Sequence, residues 1–134
     1  MDSALLALSI QATRALALIE ARFRWFRVPN PADATAPSSF RDDHGYRWES
    51  WEVDGEETWL LDLSDPLTAA GLILLVREAY EGDRAYCITS WQNHGNDGWS
   101  VYSNQGDCRW IASGAIEVEA LVAALEAAAE RWAP

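Results

Sequence analysis

The stretch from Asp42 to Asp65, DDHGYRWESWEVDGEETWLLDLSD, decides how the rest of the chain is read. Two alternating runs meet at Asp54-Gly55, the dipeptide favoured in a two-residue type I′ turn, and this predicts a β-hairpin. A turn there pairs Val53 with Glu56, Trp51 with Thr58, Trp48 with Leu61, Arg47 with Asp62 and Tyr46 with Leu63. Alternation sends Tyr46, Trp48, Trp59, Leu61 and Leu63 to one face, expected to be buried. Arg47, Glu49, Trp51, Thr58, Leu60 and Asp62 take the other face, expected to be wet, with a solvated Arg47–Asp62 pair and with Trp51 and Leu60 set among acids. Nine carboxylates share these 24 residues with one arginine and three tryptophans. Glu52 faces Glu57, a like-charge pairing that costs a little stability.

Upstream, Leu5, Leu8, Ala12, Leu16, Ile19, Phe23 and Phe26 recur at three- and four-residue steps. That spacing predicts one helix from about Ser3 to Arg27, capped by Asp2 or Ser3. Pro29 and Pro31 end it, and VPNPADATAPSS reads as a connector without periodicity.

Downstream, Ser64-Asp65-Pro66 is a helix start, with a cap residue ahead of proline at the first helical position. The helix runs to about Tyr80, with Leu67, Ala70, Leu74 and Arg77 on one line and most other positions apolar, so it is expected to be the most buried helix. Gly71 inside it signals close approach of another backbone. Strand-like runs at 84–92, 99–104 and 108–113 predict a meander, with Gln105-Gly106 placing Val101 beside Trp110 and Trp99 beside Ala112. A last helix follows Ser113-Gly114, with Glu117 and Glu119 in its first turn and Val118, Leu121, Val122, Leu125, Ala129 and Trp132 facing inward.

The expected architecture is therefore a single α+β domain over residues 1–134, ordered α-β-β-α-β-β-β-α. Residues 1–28 form the N-terminal helix, 29–41 a linker, and 42–134 an antiparallel sheet of about five strands with two helices packed on it. A chain of 134 residues has room for one core.

Net charge is −11, and all ten basic residues are arginine. Residues 1–28 carry +2 and the remainder −13. Such a surface repels phosphate backbones, which disfavours direct binding of nucleic acid. The arginines near Trp25 and Phe26 could touch phosphate, but they read better as a snorkelling helix end over the core. The N-terminus lacks a basic leader and keeps helical spacing past Gln11 and Arg14, so it reads as mature structure. No run of 18 uncharged apolar residues marks a membrane span. Cys87 and Cys108 fall on strands that a meander does not make neighbours, which favours two thiols in a reducing bacterial cytoplasm over a disulfide.

No catalytic or cofactor signature emerges. His44 lies beside Asp42 and Asp43, and His94 near Asp97. Two such loops meeting, with Trp91 and Trp99 close by, could hold a metal or a small molecule, although the spacing matches no metal motif. NHGNDG departs from a calcium loop at Gly95 and Asn104. No metal, no cofactor and no catalytic residue is assigned.

The acidic hairpin has a plain reading as a solvated face. It also has a sharper one, because carboxylates interleaved with Trp51 and Leu60 are the natural counter-surface of an arginine- or lysine-rich partner. The residues expected to carry that contact are Asp42, Asp43, Glu49, Trp51, Glu52, Asp54, Glu56 and Glu57. A third reading is a homodimer that pairs the N-terminal helix through Leu5, Leu8, Ala12 and Leu16.

The segment GAIEVEALVAALEAA (114–128), with Pro66-Leu67-Thr68-Ala69-Ala70 and Val76-Arg77-Glu78-Ala79-Tyr80 before it, resembles small uncharacterised accessory proteins of phages and prophages of GC-rich bacteria. The resemblance covers the C-terminal half and rests on alanine-rich helix sequence, with no catalytic residue to carry over. It implies interference with host machinery, in the manner of anti-CRISPR and other anti-defence inhibitors that act by binding. Joined to the acidic hairpin, it leads to the expectation of a non-enzymatic inhibitor that mimics DNA and occupies the nucleic-acid groove of a basic host protein.

Overall fold

The computed structural model describes residues 1–81, 87–92, 98–103 and 109–134. Helix α1 spans Ser3–Leu18, and the Asp2 carboxylate accepts the Leu5 N–H at 2.8 Å, satisfying one of the free donors of the first turn. The helix stops nine residues short of the expected Arg27. Beyond Ile19 the chain makes a 3₁₀ turn, Glu20–Arg22, and doubles back, with the Glu20 carboxylate accepting the Val28 N–H at 2.8 Å. The aromatics explain the early stop. Phe23 and Phe26 are buried, Phe26 packs on both Tyr46 and Trp48, and Trp25 stacks on Tyr46 at 6.1 Å. Tertiary packing of these rings overrides a periodicity that continues through them.

The linker is not featureless. A 3₁₀ turn, Pro31–Asp33, is capped by Asn30, and strand β1, Ser39–Arg41, pairs with strand β2, Arg47–Val53. The hydroxyl of Ser50 on β2 accepts the Ser38 N–H at 2.9 Å and donates to the Thr35 carbonyl at 3.0 Å, tying the linker to the sheet. Strand β3, Glu56–Leu61, completes a three-stranded antiparallel sheet, order β1-β2-β3.

The five expected strands are present, joined by β1, but they form two sheets rather than one. Strands β4 (Cys87–Gln92), β5 (Gly98–Ser103) and β6 (Arg109–Gly114) make a separate three-stranded meander. The outer edge of β3 shows why the sheet is not continuous. The Leu61 N–H donates to Thr13 Oγ1 at 3.0 Å and the Leu63 N–H to Ser9 Oγ at 3.4 Å, so α1 occupies donors that a further strand would need. The fit is geometric, because four residues of helix rise about 6 Å and two residues of strand about 6.6 Å. The element order is α-β-β-β-α-β-β-β-α.

Helix α2, Pro66–Glu81, buries Leu72, Leu75, Val76 and Ala79. The expected apolar line faces outward instead: Leu67 and Leu74 are 60% and 50% exposed, so α2 is not buried all round. Gly71 approaches the ring of Tyr46, not another backbone, and its carbonyl accepts the Tyr46 hydroxyl at 2.8 Å.

In the second sheet Val101 pairs with Ala112, Trp99 with Gly114 and Tyr102 with Trp110. This departs from the expected register by two residues: the pairs nearest the turn, Tyr102 with Trp110 and Ser103 with Arg109, are already shifted by one, and an irregularity between Val101 and Tyr102 adds the second, while Trp110 lies on the surface. The Gln105-Gly106 turn itself lies outside the described residues.

Helix α3, Glu117–Trp132, packs on β6 and β5 and against both other helices. The Tyr80 hydroxyl donates to its Ala124 carbonyl at 3.0 Å, and the Arg22 guanidinium lies 4.0 Å over the Trp132 ring. One buried cluster draws on all three helices and both sheets. Ala12 and Leu16 are fully buried in it, while Leu5 and Leu8 are partly buried against it, so the α1 stripe proposed for self-association already serves the chain's own core.

Candidate functional site

The hairpin closes through Asp54 and Gly55, both in the left-handed region with φ of 53° and 84°, as a type I′ turn requires. Its register follows from that turn: Trp48 opposite Leu61, Trp51 opposite Thr58, Glu52 opposite Glu57 and Val53 opposite Glu56. Tyr46, Trp48, Trp59, Leu61 and Leu63 are all buried on the inner face.

The outer face is drier than the sequence suggested. Leu60 is 2% exposed, and Trp51 is half-buried with its Nε1–H shut from solvent and unpartnered among the described residues. Asp62 is buried, ion-paired to Arg47 Nε at 3.2 Å, and accepts both the backbone N–H and the hydroxyl of Ser64. The pair is thus a half-covered structural bridge and not a solvated one. α1 and residues 28–31 close against β3 nearer the tip, over Leu60.

The eight expected contact residues fall into two groups. Glu52, Asp54, Glu56 and Glu57 cluster at the exposed tip, with Glu49 and Trp51 half-buried along β2 behind them. Asp42 and Asp43 sit at the opposite end of β2, which at about 3.3 Å per residue places them roughly 20 Å away. Asp42 is committed to the fold. One of its oxygens accepts the His44 and Tyr46 N–H groups at 2.9 and 3.0 Å, and the other accepts Trp48 Nε1–H at 3.0 Å.

At the tip, Asp54 meets Arg14 of α1 at 2.9 Å, both side chains largely exposed. Glu52, Glu56 and Glu57 meet no basic side chain among the described residues. Between the tip and α1 lies a cleft of about 280 Å³, walled by Ile10 and Ala17 on one side and Val53, Thr58 and Leu60 on the other. Arg14, Asp54 and Glu56 stand at its solvent edge. The cleft was invisible in the sequence, because it forms only when α1 seats along β3. The one local signal for that seating is the Ser9 and Thr13 pair, polar residues four apart beside the apolar stripe.

At the loop end, Arg41 grips Asp65 through both guanidinium nitrogens at 2.9 and 3.1 Å, while Asp65 caps α2 by accepting the Thr68 N–H and hydroxyl. The Arg41 hydrogen bonds, with smaller help from Thr68, hold the Asp65 carboxyl well below its ordinary range despite a counteracting loss of solvent. Burial, with Asp42 nearby, pushes the Tyr46 hydroxyl far above its usual value, in keeping with its role as a neutral donor.

His44 is exposed and its ring rests 4.8 Å from that of Trp25. His94, Asp97 and the NHGNDG loop lie outside the described residues, as does Cys108; Trp91 and Trp99 are cross-strand partners in the second sheet. Among the described residues no group of three His, Cys, Asp or Glu side chains is placed to hold a metal, and no helix is long and apolar enough to cross a membrane.

Comparison with protein-family models, with curated proteins and with solved structures finds no match to this chain.

Proposed function

We propose that this chain is a non-enzymatic, acidic protein-binding module that acts in the bacterial cytoplasm and engages a basic surface of a partner through the β2–β3 tip. The observation that carries the reading is the uncompensated charge at that tip. Glu52 and Glu57 stand directly opposite each other on the ladder, flanked by Asp54 and Glu56, and only Asp54 has an ion pair among the described residues. Facing like charges oppose folding. A partner whose arginines or lysines sit between them would turn that repulsion into attraction and speed encounter. A groove that binds nucleic acid has that chemistry, so the protein acts as an inhibitor by filling it, in line with the resemblance to phage anti-defence proteins.

Affinity capture from bacterial extract tests this, with the wild type and the triple variant Glu52→Lys, Glu56→Lys, Glu57→Lys on parallel columns. The expected result is a basic protein retained by the wild type, released by salt and absent from the variant column. Identical retention by both columns removes the tip as the contact surface.

A further inference from the structure

We infer that the cleft between α1 and the hairpin tip is the seat for an aliphatic side chain of the partner, held in a short extended segment whose neighbouring residues are arginine or lysine. This rests on the acidic-module reading and adds to it the anchor and its place. The volume of about 280 Å³ falls just under the ~300–1,000 Å³ of sites that engulf a drug-sized molecule, so it suits one inserted side chain better than a whole ligand. Its walls, Ile10, Ala17, Val53 and Leu60, are apolar, which selects an aliphatic group.

The charge at the rim selects the neighbours. Asp54 and Glu56 border the cleft beside Arg14, and Glu52 and Glu57, paired next along the ladder, project from the other face of the same tip. Arg14 is already drawn to Asp54 at 2.9 Å, an exposed contact that an incoming guanidinium can exchange with. A second copy of this chain, at a net charge of −11, would bring acid to acid and is a poor occupant.

The edge of β3 selects an extended segment. Ser9, Thr13 and Ala17 follow at four-residue steps along α1, and the first two accept the N–H groups of Leu63 and Leu61. Ala17 has no acceptor to offer. By the alternation of the strand the next outward N–H is that of Trp59, a residue that also lines the cleft, so an extended segment laid along this edge would bring a backbone carbonyl toward it.

Fluorescence anisotropy with two labelled nonapeptides tests the inference. One has four arginines on each side of a leucine, and the other has alanine in place of the leucine. The leucine peptide is expected to bind about tenfold more tightly, the effect of burying about two of the three carbons by which leucine exceeds alanine. Ala17→Trp, at an exposed helical position, fills the cleft and is expected to erase that difference between the two peptides. Arg14→Gln, which frees Asp54, is expected to tighten both peptides by up to about fivefold. Equal binding of the two peptides, a difference that survives Ala17→Trp, or no binding of either overturns the cleft as an anchor seat. If the peptides bind equally but Glu52→Lys, Glu56→Lys, Glu57→Lys weakens both, the inference fails and the acidic tip stands. If the leucine preference holds and that triple variant changes nothing, the tip reading and the basic neighbours of the anchor both fail, and only the apolar seat stands.

Discussion

Tyr46 shows how single residues set the loop end of the hairpin. Its ring stacks on Trp25, its hydroxyl donates to the Gly71 carbonyl, and a Cβ built on Gly71 would fall 2.8 Å from its Cε1. Gly71→Ala is therefore expected to push the ring aside and destabilise the protein by about 1–3 kcal/mol despite the better helix propensity of alanine, read by urea denaturation. An unchanged midpoint would show that the ring relaxes freely. Asp65 gives a pH signature. Pairing with Arg41 keeps its carboxyl more acidic when folded than when unfolded, so its stabilisation is complete above about pH 5 and drains away as pH falls through the carboxylate range and below. Asp65→Asn is expected to cost about 1 kcal/mol or less at neutral pH, since the Arg41 side chain is partly exposed, and to converge with the wild type in acid. Thermal melts from pH 7 to pH 2 check this, and a gap that widens in acid would contradict it.

Among the elements, the α1–β3 edge does most to shape the site. It ends the first sheet, seats α1 on the chain's own core and opens the cleft. Thr13→Val keeps the shape but leaves the buried Leu61 N–H without an acceptor, and is expected to cost about 1–3 kcal/mol in chemical denaturation. A neutral outcome would mean that α1 is held by apolar packing alone. The hairpin was legible in the sequence down to its register, because Asp54-Gly55 fixes turn type and alternation fixes the faces. Other elements were not. The helix boundary at Leu18 depends on where Phe23 and Phe26 find partners, β1 is three exposed residues with no pattern, and the division into two sheets depends on two hydroxyls of a distant helix. The outward line of Leu67 and Leu74 read as core because a periodicity shows an apolar stripe without showing what covers it.

Over the whole molecule, charge and burial divide the eight expected contact residues more sharply than the sequence could. The density of carboxylates was plain, whereas the commitment of Asp42 to loop bonds and the half-burial of Trp51 required the fold. The tip that remains combines a destabilising Glu52–Glu57 pairing with nearby apolar space. Glu57→Lys should accordingly stabilise the free protein by about 0.2–1 kcal/mol in thermal denaturation while weakening partner binding. Loss of stability in that variant would mean that the tip is not under like-charge stress. The central claim, occupation of a basic nucleic-acid groove, is met most directly by competition. The protein recovered by affinity capture is bound to a labelled DNA duplex, and increasing amounts of this chain or of its Glu52→Lys, Glu56→Lys, Glu57→Lys variant are added. The account predicts that the wild type displaces the duplex and the variant does not, whereas a duplex that stays bound at saturating wild type would contradict it.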